Sequence, residues 1–155
     1  MQIQFFKPNP TNTGSAISFS VSPKDGSLWI NMIKQASWNE ATKRGSFRAN
    51  FKNPEKEIRG KFNAIEASGI IDALNRNVEY NFIHTVKDTV TLNGKASPYI
   101  KDEKQIGYSF AMFKNKNPFL IGFTFPEAQA LKIFLTKYIE TSFSKNAKES
   151  LGEEN

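Results

Sequence analysis

Polar and apolar residues alternate along most of the chain, which is the pattern of strands that bury one face. In "AISFSVS" the apolar Ile17, Phe19 and Val21 alternate with serines, and a Pro-Lys-Asp-Gly turn follows. The predicted strands of the first half are residues 16–22, 27–34, 45–52 and 57–63. A helix reaching to about Leu74 completes this half, so the pattern predicts four strands followed by a helix.

The second half repeats this order. Its predicted strands are residues 78–84, 88–94, 105–114 and 118–125, and they are followed by a helix over residues 126–143. The end of one half, "GKFNAIEASGIIDAL", resembles the end of the other, "GFTFPEAQALKIFL", with Phe62 and Glu66 aligned 61 residues before Phe123 and Glu127. On this spacing, strand 45–52 corresponds to strand 105–114. We therefore predict a tandem duplication of one unit.

A four-stranded antiparallel sheet has one apolar face, and one helix covers only part of it. We predict an α+β fold of two β-β-β-β-α units, about residues 16–75 and 78–143, with the helices packed between antiparallel sheets. Residues 1–143 would then form a single domain. The polar segment 144–155, which ends "GEEN", is predicted to be a disordered tail that could recruit replication or repair proteins.

The composition favours an acidic partner. The 155 residues carry a net charge of +6, and the basic side chains are 17 Lys and 4 Arg, which suits diffuse phosphate contact better than reading of base edges. Cysteine is absent, which excludes disulfides and thiolate metal sites. No apolar run approaches the roughly 20 residues of a membrane span, and we see no signal peptide. We expect a cytoplasmic protein with no membrane partner, either nucleoid-associated or viral in a host cell.

The order of these elements resembles the Whirly single-stranded-DNA-binding domain. Each half also resembles one protomer of the transcription coactivator positive cofactor four, and "FTFPEAQALKIFL" carries the strand, Pro-Glu and helix pattern most closely. The lysine-rich "KGKAAL"-type segment of the plant Whirly proteins is absent from this sequence. The resemblance implies binding of single-stranded nucleic acid along the sheets, with little sequence preference.

Such binding needs cations for phosphates and aromatic faces for bases. Trp29 lies on the outward parity of its strand, although a tryptophan packed beneath a loop is the alternative. The outward or hairpin positions that we predict to bind nucleic acid are Trp29, Arg48, Asn50, Lys52, Arg59, Lys61, Phe113, Lys114 and Lys116. In the hairpin "FKNKNPF", a solvated tip is as good an explanation of the lysines as phosphate contact.

We predict no catalytic residue, no metal site and no cofactor. The single histidine, His84, ends a strand on its inward parity, and no serine or carboxylate partner is spaced to form a catalytic group with it. The carboxylates are scattered, and no phosphate-binding glycine motif exists. The leading interpretation is therefore a single-stranded-DNA-binding protein acting in replication, recombination, repair or transcription. RNA binding, a protein-interaction module and assembly into a homo-oligomer remain open.

Overall fold

The computed structural model describes the backbone of residues 1–153 and the side chains of residues 1–144. It contains ten strands and two α-helices among these residues. The strands are β1 (Gln2–Lys7), β2 (Ser15–Val21), β3 (Leu28–Lys34), β4 (Ser37–Asn39), β5 (Arg44–Ser46), β6 (Glu57–Phe62), β7 (Tyr80–Val86), β8 (Thr89–Lys101), β9 (Lys104–Lys114) and β10 (Asn117–Phe123). The helices are α1 (Ala64–Arg76) and α2 (Phe125–Glu153).

Two four-stranded antiparallel sheets, each followed by a helix, confirm the predicted α+β class and the tandem units. The first sheet has the order β1-β2-β3-β6, and the second is the meander β10-β9-β8-β7. The first unit begins at Gln2 rather than at residue 16, because β1 pairs along β2 as an edge strand. No helix of the described residues is long and apolar enough to cross a membrane.

The prediction of a sheet strand at residues 45–52 was wrong. Only Arg44–Ser46 is extended, and it pairs with β4 in a separate hairpin, while Arg48–Asn50 forms a 3₁₀ turn. Phe47 is buried, but it packs on Ala16 and Ile33 at the outer face of the first sheet and not in the main core. The apolar residues of this segment therefore cover the sheet from outside instead of joining it.

The position of residues 45–52 outside the sheet also changes which strands of the two units correspond. The shared spacing of 61 residues holds for β6 and β10 with their helices, but strand 105–114 corresponds to β3 and not to residues 45–52. Leu28 of β3 pairs with Phe62, just as Tyr108 of β9 pairs with Phe123. The segment between β3 and β6 has no counterpart in the second unit, where a two-residue turn joins β9 to β10.

The two helices begin in the same way. At α1, Asn63 and Glu66 form a capping box, in which the Asn63 side chain accepts from the Glu66 N–H and the Glu66 carboxylate accepts from the Asn63 N–H. At α2, Thr124 and Glu127 exchange the same two hydrogen bonds, at 2.8 and 3.3 Å. The repeated glutamate is thus explained by the need to satisfy free N–H groups at a helix start.

Each of these glutamates also reaches the other unit. Glu127 Oε1 lies 2.6 Å from Lys7 Nζ in β1, and Glu66 Oε2 lies 2.6 Å from His84 Nε2 in β7. Desolvation opposes ionisation of Glu127, but hydrogen bonds from Lys7 and Thr124 outweigh it and hold the pKa of this carboxyl below its usual value. The His84 ring is half-buried at this contact with the Glu66 carboxylate.

One apolar core joins both units. The helices contact each other, as predicted, and α1 also contacts β7 and β8 of the second sheet. The sheets additionally meet directly, since the ring of Phe19 lies 6.0 Å from that of Phe110, and Phe5 lies 5.0 Å from Phe123. The helices therefore do not separate the two sheets completely.

The predicted tail at residues 144–155 is only partly described. The backbone of α2 continues to Glu153, so it is helical across most of this segment. Side chains after residue 144 and the last two residues lie outside the described part of the chain. The recruitment of partners by this segment stays a prediction.

Candidate nucleic-acid interface

The outer face of the first sheet brings together the tryptophan and two of the predicted cations. Trp29 of β3 pairs directly with Lys61 of β6, and its neighbour Asn31 pairs with Arg59. Because alternate residues of a strand share a face, all four side chains project away from the core residues Leu28 and Ile30. The predicted outward orientation of Trp29 is confirmed.

Trp29 and Arg59 form one stacked unit. The Arg59 guanidinium carbon lies 4.4 Å from the centre of the Trp29 ring, which is cation–π geometry. Trp29 is half-buried, whereas Arg59 and Lys61 are exposed. A planar guanidinium offers a stacking surface of its own, so this unit can hold a base against either component.

Lys61 is partly neutralised by a neighbouring carboxylate. Its Nζ lies 3.7 Å from Asp25 Oδ2 in the loop between β2 and β3. Hydrogen bonds from the side chain and backbone of Ser27, with help from Ser22 and the charge of Lys61, lower the pKa of Asp25 to about 2. Asp25 is therefore ionised near neutral pH. Both charges are exposed, so the ion pair is weak and can yield to a phosphate.

Lys114 joins this group from the second unit. It lies at the end of β9, and it lines the same cleft of about 820 Å³ as Trp29, Arg59 and Lys61. His84 and Glu66 also line this cleft. Four of the nine predicted site residues thus meet at one place, although they come from strands of both sheets.

A second group of cations continues from Lys114. Lys34 at the end of β3 and Lys56 before β6 line a neighbouring cleft of about 560 Å³ with Lys114. Lys34 Nζ donates to Asn117 Oδ1 at 2.7 Å and lies 4.7 Å from the centre of the Phe119 ring. Partial burial and the charge of Lys56 lower the pKa of Lys34. Sequence reasoning missed Lys34 and Lys56, because their proximity depends on how the two sheets meet.

Three of the predicted residues belong to residues 47–52, which lie over the outer face of the first sheet, and not to the sheet itself. Arg48 is exposed in the 3₁₀ turn, and Lys52 follows it with a left-handed φ of 65°. Asn50 donates from Nδ2 to the Lys34 carbonyl at 2.8 Å, which fastens the segment to the end of β3. The predicted placement of Arg48, Asn50 and Lys52 on an outward strand face was therefore wrong, and their binding role stays a prediction.

The remaining two predicted residues lie near the β9–β10 turn. Phe113 is half-buried on the outer face of the second sheet, where it pairs with Asn93 and Pro118. Lys116 is exposed at the turn, with a φ of 68°. Neither residue lines the Trp29 cleft, and their binding role stays a prediction.

The outer face of the second sheet is poorer in free charge. Its central lysine, Lys95, lies 3.1 Å from Glu79. Around it lie Asn93, Ser97 and the exposed side chain of Leu120. The two sheets share a fold, but only the first combines a tryptophan with exposed basic residues. Among the described residues, no group of three or more histidine or acidic side chains is placed to hold a metal ion.

Comparisons with known proteins agree on the fold. No family model and no curated protein sequence matches the chain. The solved structure of the plant transcriptional regulator PBF-2 matches with a TM-score of 0.63 and 14% identity, covering 100% of this chain and 89% of that one. WHY1 from Arabidopsis thaliana matches with a TM-score of 0.56 and 13% identity, covering 90% of this chain and 89% of that one. The predicted resemblance to Whirly proteins is confirmed as a likeness of fold.

Proposed function

We propose that this protein binds single-stranded nucleic acid, with the strand crossing the outer face of the first sheet. The observation that carries the proposal is the meeting of Trp29, Arg59, Lys61 and Lys114 around one cleft. A stacking surface beside cations is what binding of an unpaired strand requires, because bases are exposed only when the strand is single. The fold shared with a plant transcriptional regulator supports the same class of function.

The lysines define a path for the phosphates of a bound strand. From the Trp29 cleft, Lys114 leads to Lys34 and Lys56, so phosphates can follow the junction between the two sheets. Lysines neutralise phosphates without reading sequence. We infer binding with little sequence specificity, to DNA in replication, recombination, repair or transcription. RNA is the alternative ligand, since stacking and phosphate contacts tolerate both sugars.

A salt titration distinguishes this proposal from a protein-docking role. Affinity for oligo-dT should fall steeply with salt, with a slope of about −0.7 per phosphate neutralised on a single strand. The triple variant Arg59→Ala, Lys61→Ala, Lys114→Ala should bind all sequences more weakly and reduce that slope. Duplex of the same length should bind less well to the native protein, since its bases are not free to stack.

The charge-matched comparison sets the double variant Arg59→Ala, Lys61→Ala against replacement by alanine of Lys132 and Lys137 of α2, which line a different groove, between the two helices. The helix variant loses two positive charges, but we expect it to keep nearly native affinity and salt slope. If the helix variant loses more affinity than the sheet variant, the strand does not cross the first sheet. A native protein that binds neither oligo-dT nor oligo-U would contradict the proposed function itself.

A further inference from the structure

Strand β7 is an open edge of the second sheet. The two four-stranded sheets have four edge strands, namely β1, β6, β7 and β10, and β7 pairs only with β8. In an antiparallel ladder, alternate residues of an edge strand direct their N–H and C=O groups away from the sheet. Among the described residues, no backbone hydrogen bond reaches β7 from outside its own sheet. Its outward backbone groups are therefore available to another strand.

The other three edges carry residues that oppose such pairing. Charged residues and proline are the usual means by which an edge strand avoids pairing with another chain. The residues of this kind are Glu57, Arg59 and Lys61 in β6, Pro118 in β10 and Lys7 in β1. Strand β7 has the sequence YNFIHTV, with no proline and no lysine, arginine, aspartate or glutamate. Of the four edges, it alone lacks this protection.

The exposed side chains of β7 are uncharged and partly apolar. Ile83 is 62% exposed and Val86 is 60% exposed, and Asn81 and Thr85 are exposed as well. The histidine of the strand, His84, lies on the inward parity and contacts a carboxylate of α1. An edge that combines available backbone groups with exposed apolar side chains is suited to the addition of one more strand.

We propose that β7 pairs antiparallel with β7 of a second copy of this chain, about a two-fold axis at Ile83. Such an axis places each residue opposite the residue that lies equally far from Ile83 on the other side. The two Ile83 side chains then meet, and Asn81 lies opposite Thr85 of the second copy. Glu79, four residues before Ile83, lies opposite Lys87 of the second copy, four residues after it. Symmetry generates each of these contacts twice.

The flanking charges select a second copy of this chain over an unrelated partner strand. They are equally distant from Ile83 and opposite in sign, so only antiparallel pairing about this residue gives two attractive contacts. Parallel pairing in register would place like charges opposite each other, which is destabilising. Glu79 also lies 3.1 Å from Lys95 of its own chain, but this exposed ion pair leaves its carboxylate accessible to a second cation.

Sedimentation velocity of the full chain over a range of concentrations tests the association. The measurement is made without nucleic acid, because Ile83, Thr85 and Val86 also line the Trp29 cleft. One strand pair is a small interface, so we expect a Kd of about 10–100 µM. The mass should rise from 17.5 kDa towards twice that value. A native protein that stays monomeric up to about 1 mM would overturn the proposal.

A charge at the centre of β7 should prevent the pairing. Ile83→Lys places two like charges together at the two-fold axis and should weaken association by at least about tenfold. The matched control is Leu120→Lys, which changes a residue 57% exposed on β10, the opposite edge of the same sheet, and should associate like the native protein. Both side chains are exposed, so both variants should fold normally. A dimer that survives Ile83→Lys would overturn the assignment to β7.

An exchange of charges tests the register. Glu79→Lys and Lys87→Glu each turn both attractive contacts into repulsive ones and should weaken association by about tenfold. The double variant should return to within about threefold of the native Kd. A double variant as weak as the single variants would show that these residues are not opposite each other, and would overturn the two-fold axis at Ile83.

Amide hydrogen exchange locates the interface without any substitution. As the protein concentration rises through the Kd, exchange in residues 80–86 should slow, because outward N–H groups of β7 gain acceptors. Exchange in β10 should stay constant. Slower exchange in the helices without a change in β7 would place the association elsewhere and overturn the proposal. None of these measurements involves nucleic acid, so their outcome is independent of the proposed function.

Discussion

Replacement of Trp29 by alanine separates a binding role from a packing role. If a base stacks on the Trp29–Arg59 unit, the loss of the ring should weaken binding of oligo-dT by about 1–3 kcal/mol, which is about 5- to 150-fold in Kd. The lower end applies if the Arg59 guanidinium continues to hold the base alone. The upper end applies if Arg59 depends on the ring for its position.

The expected cost in stability is much smaller than for a core tryptophan. Truncation of a buried Phe or Trp costs about 3–5 kcal/mol, but Trp29 is half-buried on the outer face, and its ring contact is with the exposed Arg59. An exposed cation–π pair contributes about 0.5–1 kcal/mol. With partial burial added, we expect a loss near 1 kcal/mol and a fall in Tm of about 2–4 °C.

The two tryptophans of the chain allow a site-specific assay. Trp38 lies in the β4–β5 hairpin, where its Nε1 donates to Glu40 Oε2 at 2.9 Å. In Trp38→Phe the remaining fluorescence comes from Trp29 alone, and we expect quenching as oligo-dT stacks on it. In Trp29→Phe the emission of Trp38 should stay nearly constant during the same titration.

Two outcomes would refute this reasoning. One is a Trp29→Ala protein that melts far below the native protein yet binds with native affinity per folded molecule, because Trp29 would then be a packing residue. The other is quenching of Trp38 without quenching of Trp29. The strand would in that case cross the hairpin and not the sheet.

The other predictions concern stability. Glu127→Gln should lower the free energy of unfolding by about 1 kcal/mol at neutral pH, because it removes the Lys7 ion pair and weakens the helix cap. The folded-state pKa of Glu127 is lowered, so its contribution is present above the usual value of 4.5 and is lost as pH falls through the folded pKa. Denaturant melts of variant and native protein should therefore converge in acid, and a difference that stays constant with pH would contradict the assignment. Glu103→Gly should stabilise the protein by about 0.5–1 kcal/mol, because Asp102 and Glu103 have φ values of 51° and 62° in a two-residue hairpin turn that favours glycine. Glu103→Ala should give no such gain in the same melts, and a loss with glycine would show that the glutamate side chain makes a stabilising contact.

The order of strands in the second unit could be predicted from sequence, because its pairing is local, although β8 (Thr89–Lys101) runs seven residues past the predicted end at residue 94. Its four strands are joined by two-residue turns, at residues 87–88, 102–103 and 115–116, where both residues of each turn have positive φ. Neighbours in the chain are therefore neighbours in the sheet. Alternation of polar and apolar residues then suffices to place each side chain on one face.

The first unit could be predicted only in part, because its pairing is not local. Residues 45–52 alternate like a strand, but alternation shows only that a segment has two different faces, not which surface the apolar face meets. Phe47 meets the outside of the sheet. Directly after β3, Gln35 uses both ends of its amide to bind the backbone of Asn9, Gly14 and Ser37. This buried network directs the chain away from the sheet, and no short sequence motif predicts such a network.

The residues of the candidate site could likewise be predicted only in part. Trp29, Arg59 and Lys61 could be predicted because strand parity fixes their face, and pairing of β3 with β6 makes them neighbours. Lys34 and Lys56 could not be predicted, since their proximity to Lys114 depends on contacts between the two sheets.

The duplication explains why the two outer faces could diverge. The contacts that hold the units together are reciprocal. In each unit the glutamate at the helix start contacts the first strand of the other unit, as Lys7–Glu127 and His84–Glu66. The ring pairs Phe5–Phe123 and Phe82–Phe62 are equivalent in the same way. These contacts use the inner faces and the helix starts, so they do not depend on the side chains of the outer faces. The segment between β3 and β6 has no counterpart in the second unit, and it places Phe47 and Phe51 over the outer face of the first sheet alone. The proposed nucleic-acid interface therefore lies mainly on one copy of the unit, with Lys114 contributed by the other, and replacement of Trp29, Arg59 or Lys61 should leave the reciprocal contacts unchanged.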